Sequence, residues 1–174
     1  MATPQEDPEF RVEILCSRHD RRNFSCGNKD LDRYLQTQAR QDARKGVAVT
    51  FVLTEDGSTI GGYYALSQHS VSLDEIPLKI AKKLPKYPEV PVTLIGRFAV
   101  SSSLQGKGVG ELMLMNALER CLGTSKQIAS AAVIVDPKDK KSEGFYRKYG
   151  FLGLPGVRLR LFLPMKTIEA MVSV

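Results

Sequence analysis

The stretch that most constrains the fold passes from an apolar segment through a glycine-rich turn into an amphipathic segment. Residues 92–100 read VTLIGRFAV, a run of branched apolar residues that is typical of a buried strand. Residues 101–110 read SSSLQGKGVG, and residues 111–122 follow with apolar side chains at helical spacing. Those side chains belong to Leu114, Met115, Leu118 and Leu122. The order predicts a strand, a glycine-rich turn and a helix in direct succession.

A turn of this composition, placed directly before a helix, can hold an anion. Gly106, Gly108 and Gly110 let successive backbone N–H groups turn towards one point, and the first turn of the helix adds the positive end of its dipole. A pyrophosphate is the simplest ligand for such a loop. Glycines also occur at strand-to-helix junctions for steric reasons alone, so the turn by itself leaves a purely structural interpretation open.

Two familiar phosphate-binding patterns are excluded. A P-loop needs Ser or Thr directly after its Gly-Lys pair, but Gly106-Lys107 is followed by Gly108. The dinucleotide-binding fingerprint needs its third glycine at a different spacing and a short N-terminal βαβ unit before it, and the sequence has neither. The turn therefore belongs to neither of these classes.

Length and composition predict one globular domain. The chain of 174 residues is long enough for one core, so we expect a single domain over residues 1–174, with residues 1–9 as a flexible tail. Hydrophobic residues make up 43% of the chain and charged residues 25%, as in soluble proteins. No apolar run approaches the roughly 18 residues that a membrane span needs, and the polar N-terminus is unlike a signal peptide. We therefore expect a cytoplasmic protein that does not contact a membrane.

The cysteines and histidines predict neither a metal site nor a disulfide framework. Cys16, Cys26 and Cys121 are odd in number and share no C-x-x-C spacing. Cys121 lies in an apolar helical segment and is expected in the core, and Cys26 has no histidine near it in sequence that would activate its thiol. His19 and His69 are interpreted as structural or surface groups.

The net charge of +6 is concentrated in two segments. Residues 11–45 contain 9 basic and 5 acidic residues, and residues 138–160 contain 7 basic and 2 acidic residues. Such segments are often solvated faces of the protein. They also suit a surface for a polyanion, of which nucleic acid is the commonest.

Periodicity and turn signals predict an alternation of strands and helices. The predicted strands are residues 11–15, 47–53, 59–66, 92–100, 128–135 and 157–163. The predicted helices are residues 29–44, which Asn28 caps and Gly46 ends, residues 111–122, which Gly123 ends, and residues 140–149, which Gly150 ends. An Asp56-Gly57 turn makes a hairpin, and a proline-rich connector with a short helical piece at 77–84 spans residues 67–90. This order predicts an α/β layered domain.

The glycine-rich turn and a second motif resemble the GNAT superfamily of N-acetyltransferases. The GNAT pyrophosphate loop has the signature Q/R-x-x-G-x-G/A after a strand, and Gln105, Gly108 and Gly110 match it. Residues 145–151, FYRKYGF, match the F-Y-x-x-x-G-F element of the last GNAT helix. The resemblance extends over nearly the whole chain. It implies the GNAT fold, a central mixed sheet flanked by helices in which a splayed pair of strands admits the cofactor.

The resemblance implies acetyl-CoA as co-substrate and no metal. Backbone N–H groups of the loop would hold the pyrophosphate, and the edge of the preceding strand would pair with the pantetheine amides and direct an N–H at the thioester oxygen. The implied cofactor-binding residues are Phe98, Ala99, Val100, Gln105, Gly106, Lys107, Gly108, Val109 and Gly110.

The tyrosine of the second motif is the implied catalytic acid. In GNAT enzymes this residue, here Tyr146, commonly protonates the departing thiolate of coenzyme A. A tyrosine suits the role because its O–H, with a reference pKa of about 10, stays protonated at neutral pH. Without the upstream loop, Tyr146 would be read equally well as a half-buried structural aromatic.

Three further stretches are similar to the GNAT toxins of bacterial toxin–antitoxin modules, of the TacT and AtaT type. They are residues 24–35 (FSCGNKDLDRYL), 85–91 (PKYPEVP) and 95–100 (IGRFAV). The similarity implies acetylation of the α-amine of aminoacyl-tRNA, a block of translation, a homodimer, and a ribbon-helix-helix antitoxin as partner. Phe98 stands where leucine is usual and Cys26 where serine is common, and neither departure affects the implied cofactor site.

The central strand has no obvious carboxylate to act as a general base, because the position where one would stand holds Arg97. That lack would be serious for a lysine amine, with a pKa of about 10.4, and mild for an α-amine, with a pKa of about 7.7 to 8.0. The residue pattern therefore favours an α-amine substrate independently of the family. Arg97 is a candidate substrate-binding residue.

Two alternatives remain open from the sequence. One is a GNAT enzyme that acetylates a small amine or a protein amine, with merely solvated basic segments. The other is a non-catalytic protein that binds coenzyme A or nucleic acid, against which the intact Tyr146 argues.

Overall fold

The computed structural model describes residues 9–156 and 159–173. The predicted tail lies outside this range apart from residue 9, and so do the first two residues of the strand predicted at 157–163. The strands are β1 (Arg11–Ile14), β2 (Val49–Thr54), β3 (Gly62–Ser72), β4 (Glu89–Val100), β5 (Ala132–Val135), β6 (Leu152–Gly153) and β7 (Leu161–Pro164). The α-helices are α1 (Lys29–Arg33), α2 (Ala39–Arg44), α3 (Leu78–Ala81), α4 (Val109–Ser125), α5 (Lys140–Lys148) and α6 (Met165–Val172).

The described strands form a seven-stranded mixed sheet in the order β1-β2-β3-β4-β5-β7-β6. β1 pairs with β2, β5 with β7 and β6 with β7 in antiparallel fashion, whereas β4 and β5 are parallel. The β4–β5 register ends with Ile95 opposite Val135, where β5 stops while β4 continues to Val100. The predicted GNAT fold class is confirmed, and β4 extends beyond β5 at the point where the fold needs a splayed pair.

The chain forms two compact units, each with its own core. Among the described residues, the first unit comprises residues 9–65 and 97–116, and the second comprises residues 66–96, 117–156 and 159–173. The core of the first unit includes Phe24, Leu31, Tyr34, Leu35, Ala39, Val52, Ile60, Tyr63, Ala65 and Ala99. The core of the second unit includes Val71, Ile76, Val90, Val92, Ala132, Ile134, Leu154 and Phe162. A single domain over residues 1–174 stays a prediction.

The helical segment at residues 29–44 begins where the sequence predicts. The Asn28 side chain accepts hydrogen bonds from the backbone N–H groups of Asp30 and Leu31, so it satisfies donors that the first turn leaves without helical partners. The segment ends before Gly46, whose φ of +71° favours glycine. The middle of the segment, Tyr34–Gln38, is a π-helical turn that periodicity does not predict.

The predicted connector at residues 67–90 is too long, because strands occupy both of its ends. β3 continues to Ser72, and β4 begins at Glu89 and contains Pro91. Pro91 lacks only an N–H group, and its carbonyl still accepts a hydrogen bond from the backbone N–H of Ala131 at 2.8 Å. The predicted start of this strand at residue 92 is therefore wrong, because β4 begins at Glu89 and includes Pro91.

α4 is longer than predicted at both ends. It begins at Val109 and runs through Gly123 to Ser125, and Gly123 has no positive φ, so the predicted ending at this glycine is wrong. The Ser125 hydroxyl donates to the Leu122 carbonyl and helps to close the last turn. The buried face consists of Met113, Leu114, Ala117, Leu118 and Cys121, whereas the predicted Met115 and Leu122 are only half-buried.

The predicted strand at residues 128–135 is wrong in its first half. The backbone N–H of Ile128 donates to the Thr124 carbonyl, which extends the end of α4 and leaves the Ile128 side chain exposed. β5 begins only at Ala132, and its residues are fully buried, as expected of a strand covered on both faces. The sequence patterns also miss β6 and α6.

Candidate active site

The glycine-rich loop lies in the first unit, between β4 and α4. Gly106 and Gly108 have φ angles of +76° and +79°, a backbone conformation that L side chains rarely adopt. A Cβ atom at either position would meet no other atom within 4 Å. The glycines are therefore required by the backbone conformation rather than by crowding. Space above the loop is open for a ligand.

The order of strand, turn and helix at this loop is as predicted. A short 3₁₀ turn, Ser102–Leu104, follows β4, and the backbone N–H of Leu112 donates to the Gly108 carbonyl at the start of α4. Four residues of the loop are exposed, whereas Val109 is buried and Gly110 half-buried; the exposed ones are Gln105, Gly106, Lys107 and Gly108. The loop is therefore exposed directly before the N-terminus of α4, the end of a helix that favours an anion.

The end of β4 packs closely against the start of β3. Ala99 is buried, Phe98 and Val100 are half-buried, and the backbone N–H of Ser101 donates to the Gly61 carbonyl at 2.9 Å. A Cβ atom at Gly62 would lie 3.0 Å from the Ala99 carbonyl oxygen and would overlap the Met113 side chain. Sequence reasoning missed this role of the Gly61-Gly62 pair, although two adjacent glycines in a strand pattern signal a close backbone approach.

The Gln105 side chain forms two hydrogen bonds within the protein, and its place in the cofactor site stays a prediction. Its side-chain amide donates hydrogen bonds to the carbonyl oxygens of Cys26 and Val100. The side chain therefore contacts the turn before α1 and the end of β4. Sequence reasoning missed this contact because Cys26 lies far away along the chain.

Arg97, the candidate substrate-binding residue, lies over an aromatic ring in the first unit. Its guanidinium carbon is 4.1 Å from the centroid of the Tyr34 ring, within the range of a cation–π interaction. The Tyr34 hydroxyl donates to the Asp42 carboxylate at 2.9 Å, and the Gln38 amide donates to the same carboxylate at 2.8 Å. The Tyr63 ring stacks on Tyr34 at 6.4 Å between centroids.

The electrostatics of this cluster keep Tyr34 neutral. Burial, and the hydrogen bond to the Asp42 carboxylate, raise the pKa of Tyr34 to about 12. Tyr34 is the first residue of the π-helical turn Tyr34–Gln38, and it contacts both Arg97 and Asp42. Single π turns inside α-helices are rare and often mark functional sites. We refer to Arg97, Tyr34 and Asp42 as the arginine stack.

Tyr146 lies in the second unit, on the buried face of α5. Asp139 caps this helix by accepting from the backbone N–H of Ser142 at 2.7 Å. The Tyr146 ring packs edge-on against Phe145 and Phe151, and only 6% of the residue is exposed. Burial raises the pKa of Tyr146 above its usual value, so its O–H stays protonated through the neutral range. This state is the one that a proton donor needs.

A group of arginines in the first unit lies close enough for mutual repulsion. Burial lowers the pKa of Arg21, and the positive charges of Arg40, Arg22 and Arg44 lower it further. The Arg21 guanidinium is held by the Gln36 carbonyl, to which it donates at 3.1 Å. We call these four side chains the arginine cluster. An anionic partner would relieve the repulsion among them.

Within residues 9–156 and 159–173, no group of His, Cys, Asp and Glu side chains is arranged to hold a metal ion. The same part of the chain contains no helix with the length and apolarity that a membrane span requires. Burial raises the pKa of the Cys26 thiol to about 11, so this thiol is not an activated nucleophile.

Comparisons with known proteins agree with this geometry. The chain matches the Acetyltransferase (GNAT) family over residues 13–151. The probable toxin TacT of Sinorhizobium fredii (strain NBRC 101917 / NGR234) is 31% identical over 165 residues, 90% of this chain and 91% of the relative. A tRNA-acetylating toxin of Mycobacterium tuberculosis (strain ATCC 25618 / H37Rv) is 33% identical over 151 residues, 87% of this chain and 89% of the relative.

A solved structure extends the similarity to three dimensions. AtaT complexed with acetyl-methionyl-tRNAfMet is 28% identical, with a TM-score of 0.88 over 94% of this chain and 99% of that chain. The resemblance predicted from the loop and the tyrosine motif is confirmed. The protein belongs to the GNAT family of acetyltransferases.

Proposed function

We propose that this protein transfers the acetyl group of acetyl-CoA to the α-amine of an aminoacyl-tRNA, blocks translation by this reaction, and acts in the cytoplasm. The proposal depends chiefly on the identity of 33% with a tRNA-acetylating toxin over most of both chains. Acetyl-CoA is the acetyl donor of the family. Three features match requirements of this reaction. The glycine-rich loop suits the diphosphate of acetyl-CoA, the buried Tyr146 suits a proton donor, and the arginine cluster suits the tRNA backbone.

The glycine-rich loop between β4 and α4, residues 101–108, is called the phosphate loop from here on and is the proposed site for the diphosphate of acetyl-CoA. Its glycines in the left-handed region allow successive backbone N–H groups to converge on an anion, and the start of α4 adds a positive dipole end. The last residues of β4, Phe98 to Val100, are the proposed partners of the pantetheine amides, because β4 continues where β5 has ended. These backbone groups are the proposed main contacts to the donor, and the exposed Lys107 adds a positive charge to the same loop.

The reaction is a direct transfer between two bound substrates. The neutral amine nitrogen attacks the thioester carbon, the carbon–sulfur bond breaks, and the sulfur leaves with the electron pair. The Tyr146 O–H is the proposed proton source for that thiolate, since burial holds the phenol in its protonated form. The amine gives up its own proton to water, and the Tyr146 phenolate regains a proton from water, which restores the enzyme.

The residues around Arg97 favour an α-amine over a lysine amine. The carboxylate in the arginine stack, that of Asp42, already accepts from Tyr34 and Gln38 and is poorly placed to act as a general base. An α-amine with a pKa of about 7.7 to 8.0 is substantially neutral without such a base, whereas a lysine amine with a pKa of about 10.4 is not.

The arginine cluster is the proposed contact for the tRNA backbone. Phosphate groups recruit Arg and Lys side chains and compensate their mutual repulsion. The predicted resemblance to GNAT toxins implies a ribbon-helix-helix antitoxin and a homodimer, and we propose both as partners of this protein.

The test incubates the protein with charged bulk tRNA and labelled acetyl-CoA across a salt series, with deacylated tRNA as control. We expect label on the aminoacyl ester and a log–log slope of binding against salt of roughly −0.7 to −0.9 per phosphate contact. The pair Arg40→Gln and Arg44→Gln should flatten the slope by up to about two contacts. The exposed pair Lys82→Gln and Lys83→Gln removes the same charge after α3 and should leave the slope unchanged.

Two results would replace the proposal. If no charged tRNA is labelled while a polyamine or a peptide amine is acetylated readily, the protein is an acetyltransferase of small or protein amines. If acetyl-CoA binds and no amine is acetylated, the protein is a non-catalytic binding protein.

A further inference from the structure

The Gln105 side chain makes a link that the phosphate loop does not need for binding an anion. Its amide nitrogen lies 2.8 Å from the Cys26 carbonyl oxygen and 3.0 Å from the Val100 carbonyl oxygen, and donates to both. A primary amide carries two N–H groups, so each carbonyl can receive one. Val100 ends β4 directly before the loop. Cys26 lies 79 residues before Gln105 in the chain.

A backbone hydrogen bond reinforces this link. The N–H of Ser102, at the start of the loop, donates to the Ser25 carbonyl at 2.8 Å. The turn at residues 25–27 is also bonded to α1, because the N–H of Cys26 donates to the Asp32 carboxylate at 2.9 Å. The phosphate loop is therefore joined through this turn to α1.

We propose that Gln105 is a positioning residue whose side chain holds the phosphate loop in its binding conformation by tying it to the turn at residues 25–27. The inference deepens the proposed function, since acetyl-CoA is taken as the ligand of the loop. It assigns to the Gln105 side chain a bond within the protein, where the GNAT motif by itself suggests a contact with the cofactor.

The physical reason is the flexibility of the loop. Gly106 and Gly108 give the backbone more conformations than other residues would, and ordering them on binding costs affinity. A side chain that restricts the start of the loop before the ligand arrives reduces that cost. Such an effect changes the affinity for acetyl-CoA and leaves the chemical step at saturation unaltered.

The two carbonyl contacts need a long side chain with more than one N–H donor at its end, and arginine meets this requirement as glutamine does. Methionine has a similar length and no donor, and glutamate has acceptors that would repel both carbonyls. Rescue by arginine and failure of methionine and glutamate therefore form a direct test.

The experiment compares Gln105→Arg, Gln105→Met and Gln105→Glu with the wild type. Hydrogen exchange of the loop amides is measured without ligand, acetyl-CoA affinity by calorimetry, and kcat at saturating acetyl-CoA. We expect Gln105→Met and Gln105→Glu to exchange about 3- to 10-fold faster and to bind about 3- to 10-fold more weakly, the range for one or two exposed hydrogen bonds, with kcat within about twofold. Gln105→Arg should stay near the wild type. Gln127→Met, at a second exposed glutamine, is the matched control.

A second variant tests the other end of the link without altering the loop. Gly27 has a φ of +88°, so Gly27→Ala strains the turn that carries Cys26. If the two ends act as one connection, the losses of acetyl-CoA affinity in Gly27→Ala and Gln105→Met are less than additive in the double variant. Additive losses would overturn the proposal.

A direct contact between Gln105 and the cofactor phosphates has a different signature. In that case Gln105→Arg improves acetyl-CoA affinity and steepens its salt dependence, and Gln105→Met leaves exchange of the ligand-free loop at the wild-type rate. Either outcome overturns the link. If the wild type itself does not bind acetyl-CoA, the proposed function fails, and the exchange measurement on the ligand-free protein still decides about Gln105.

Discussion

The phosphate loop and the arginine stack, both in the first unit, present polar groups in opposite ways. The loop offers backbone N–H groups, and the side chains of Gln105 and Lys107 are exposed. The arginine stack is built from side chains, with the Arg97 guanidinium on the Tyr34 ring and the Tyr34 hydroxyl on Asp42. The difference teaches which changes each region tolerates. The loop should be sensitive to backbone conformation, and the stack should be sensitive to side-chain chemistry.

The largest effect is expected at Tyr146, where, as in the arginine stack, the proposed role depends on a side chain. That role is proton donation by the Tyr146 hydroxyl. Tyr146→Phe should lower kcat by roughly 10²-fold or more, because the proton donor is lost, and should keep acetyl-CoA affinity within a few-fold. Tyr149→Phe, which removes a hydroxyl near the end of the same helix, is the control and should keep kcat. A normal rate for Tyr146→Phe would mean that water or another group protonates the thiolate.

The next effect tests the loop as a backbone site. Gly108→Val forces a β-branched residue into a φ of +79°, which costs about 1–2 kcal/mol or more, and places a side chain where the phosphate would approach. Acetyl-CoA affinity should fall by at least about 10-fold in calorimetry, and the double change of Gly108 and Gly110 to valine should abolish binding. Lys107→Ala removes a charge from the same loop and should cost less than Gly108→Val. A larger loss of affinity in Lys107→Ala than in Gly108→Val would mean that the loop binds acetyl-CoA mainly through the Lys107 side chain.

A smaller effect tests the stack as a side-chain site. Tyr34→Phe removes the hydrogen bond to Asp42 and keeps the ring under Arg97, so the KM for charged tRNA should rise about 2- to 5-fold. Tyr34→Leu also removes the ring and should raise that KM by about 10-fold. Acetyl-CoA affinity should be unchanged in both. Equal effects of the two changes would show that the ring does not support Arg97.

The smallest effect is expected in a pH titration of the stack between about pH 10 and pH 12. Such a titration distinguishes the two regions, because the Tyr34 phenol ionises in this range and the backbone N–H groups of the loop do not. Asp42→Asn removes the carboxylate that helps to raise the pKa of Tyr34 to about 12, so this pKa should fall while staying above about 10 because of burial. Since the folded-state pKa is raised, the related stability is present below pH 10 and is lost as the pH rises towards 12. Ultraviolet difference titration of Asp42→Asn with and without Tyr34→Phe measures the shift. An unchanged pKa would show that burial alone raises it.

Local signals predicted the ends of several elements correctly. Asn28 caps α1 with its own side chain, and Gly46 and Gly150 follow helix ends with φ angles of +71° and +95°. These features depend on neighbours within a few residues, so composition and spacing reveal them. Local signals gave the wrong element ends where the structure depends on partners far away along the chain. Pro91 lies inside β4 because Ala131 supplies the hydrogen bond to its carbonyl.

The same division applies to the candidate site. The loop residues and Tyr146 belong to short motifs whose physical requirements, a left-handed glycine or a buried phenol, are visible in the sequence. The arginine stack was predicted only as Arg97 alone. Its partners Tyr34 and Asp42 come from a helical segment whose π turn no apolar periodicity announces.

By itself, the sequence determined the family, and it predicted the phosphate loop and the catalytic candidate, because each is encoded in contiguous residues whose backbone conformation follows from their own chemistry. Only the tertiary structure decided the use of Gln105 and Arg97. The amide of Gln105 meets Cys26, and the guanidinium of Arg97 meets Tyr34, across distances along the chain that local propensity cannot sense. These contacts form because folding buries the ring of Tyr34 and brings the turn at residues 25–27 against the loop, and that geometry sets which donors and charges find partners.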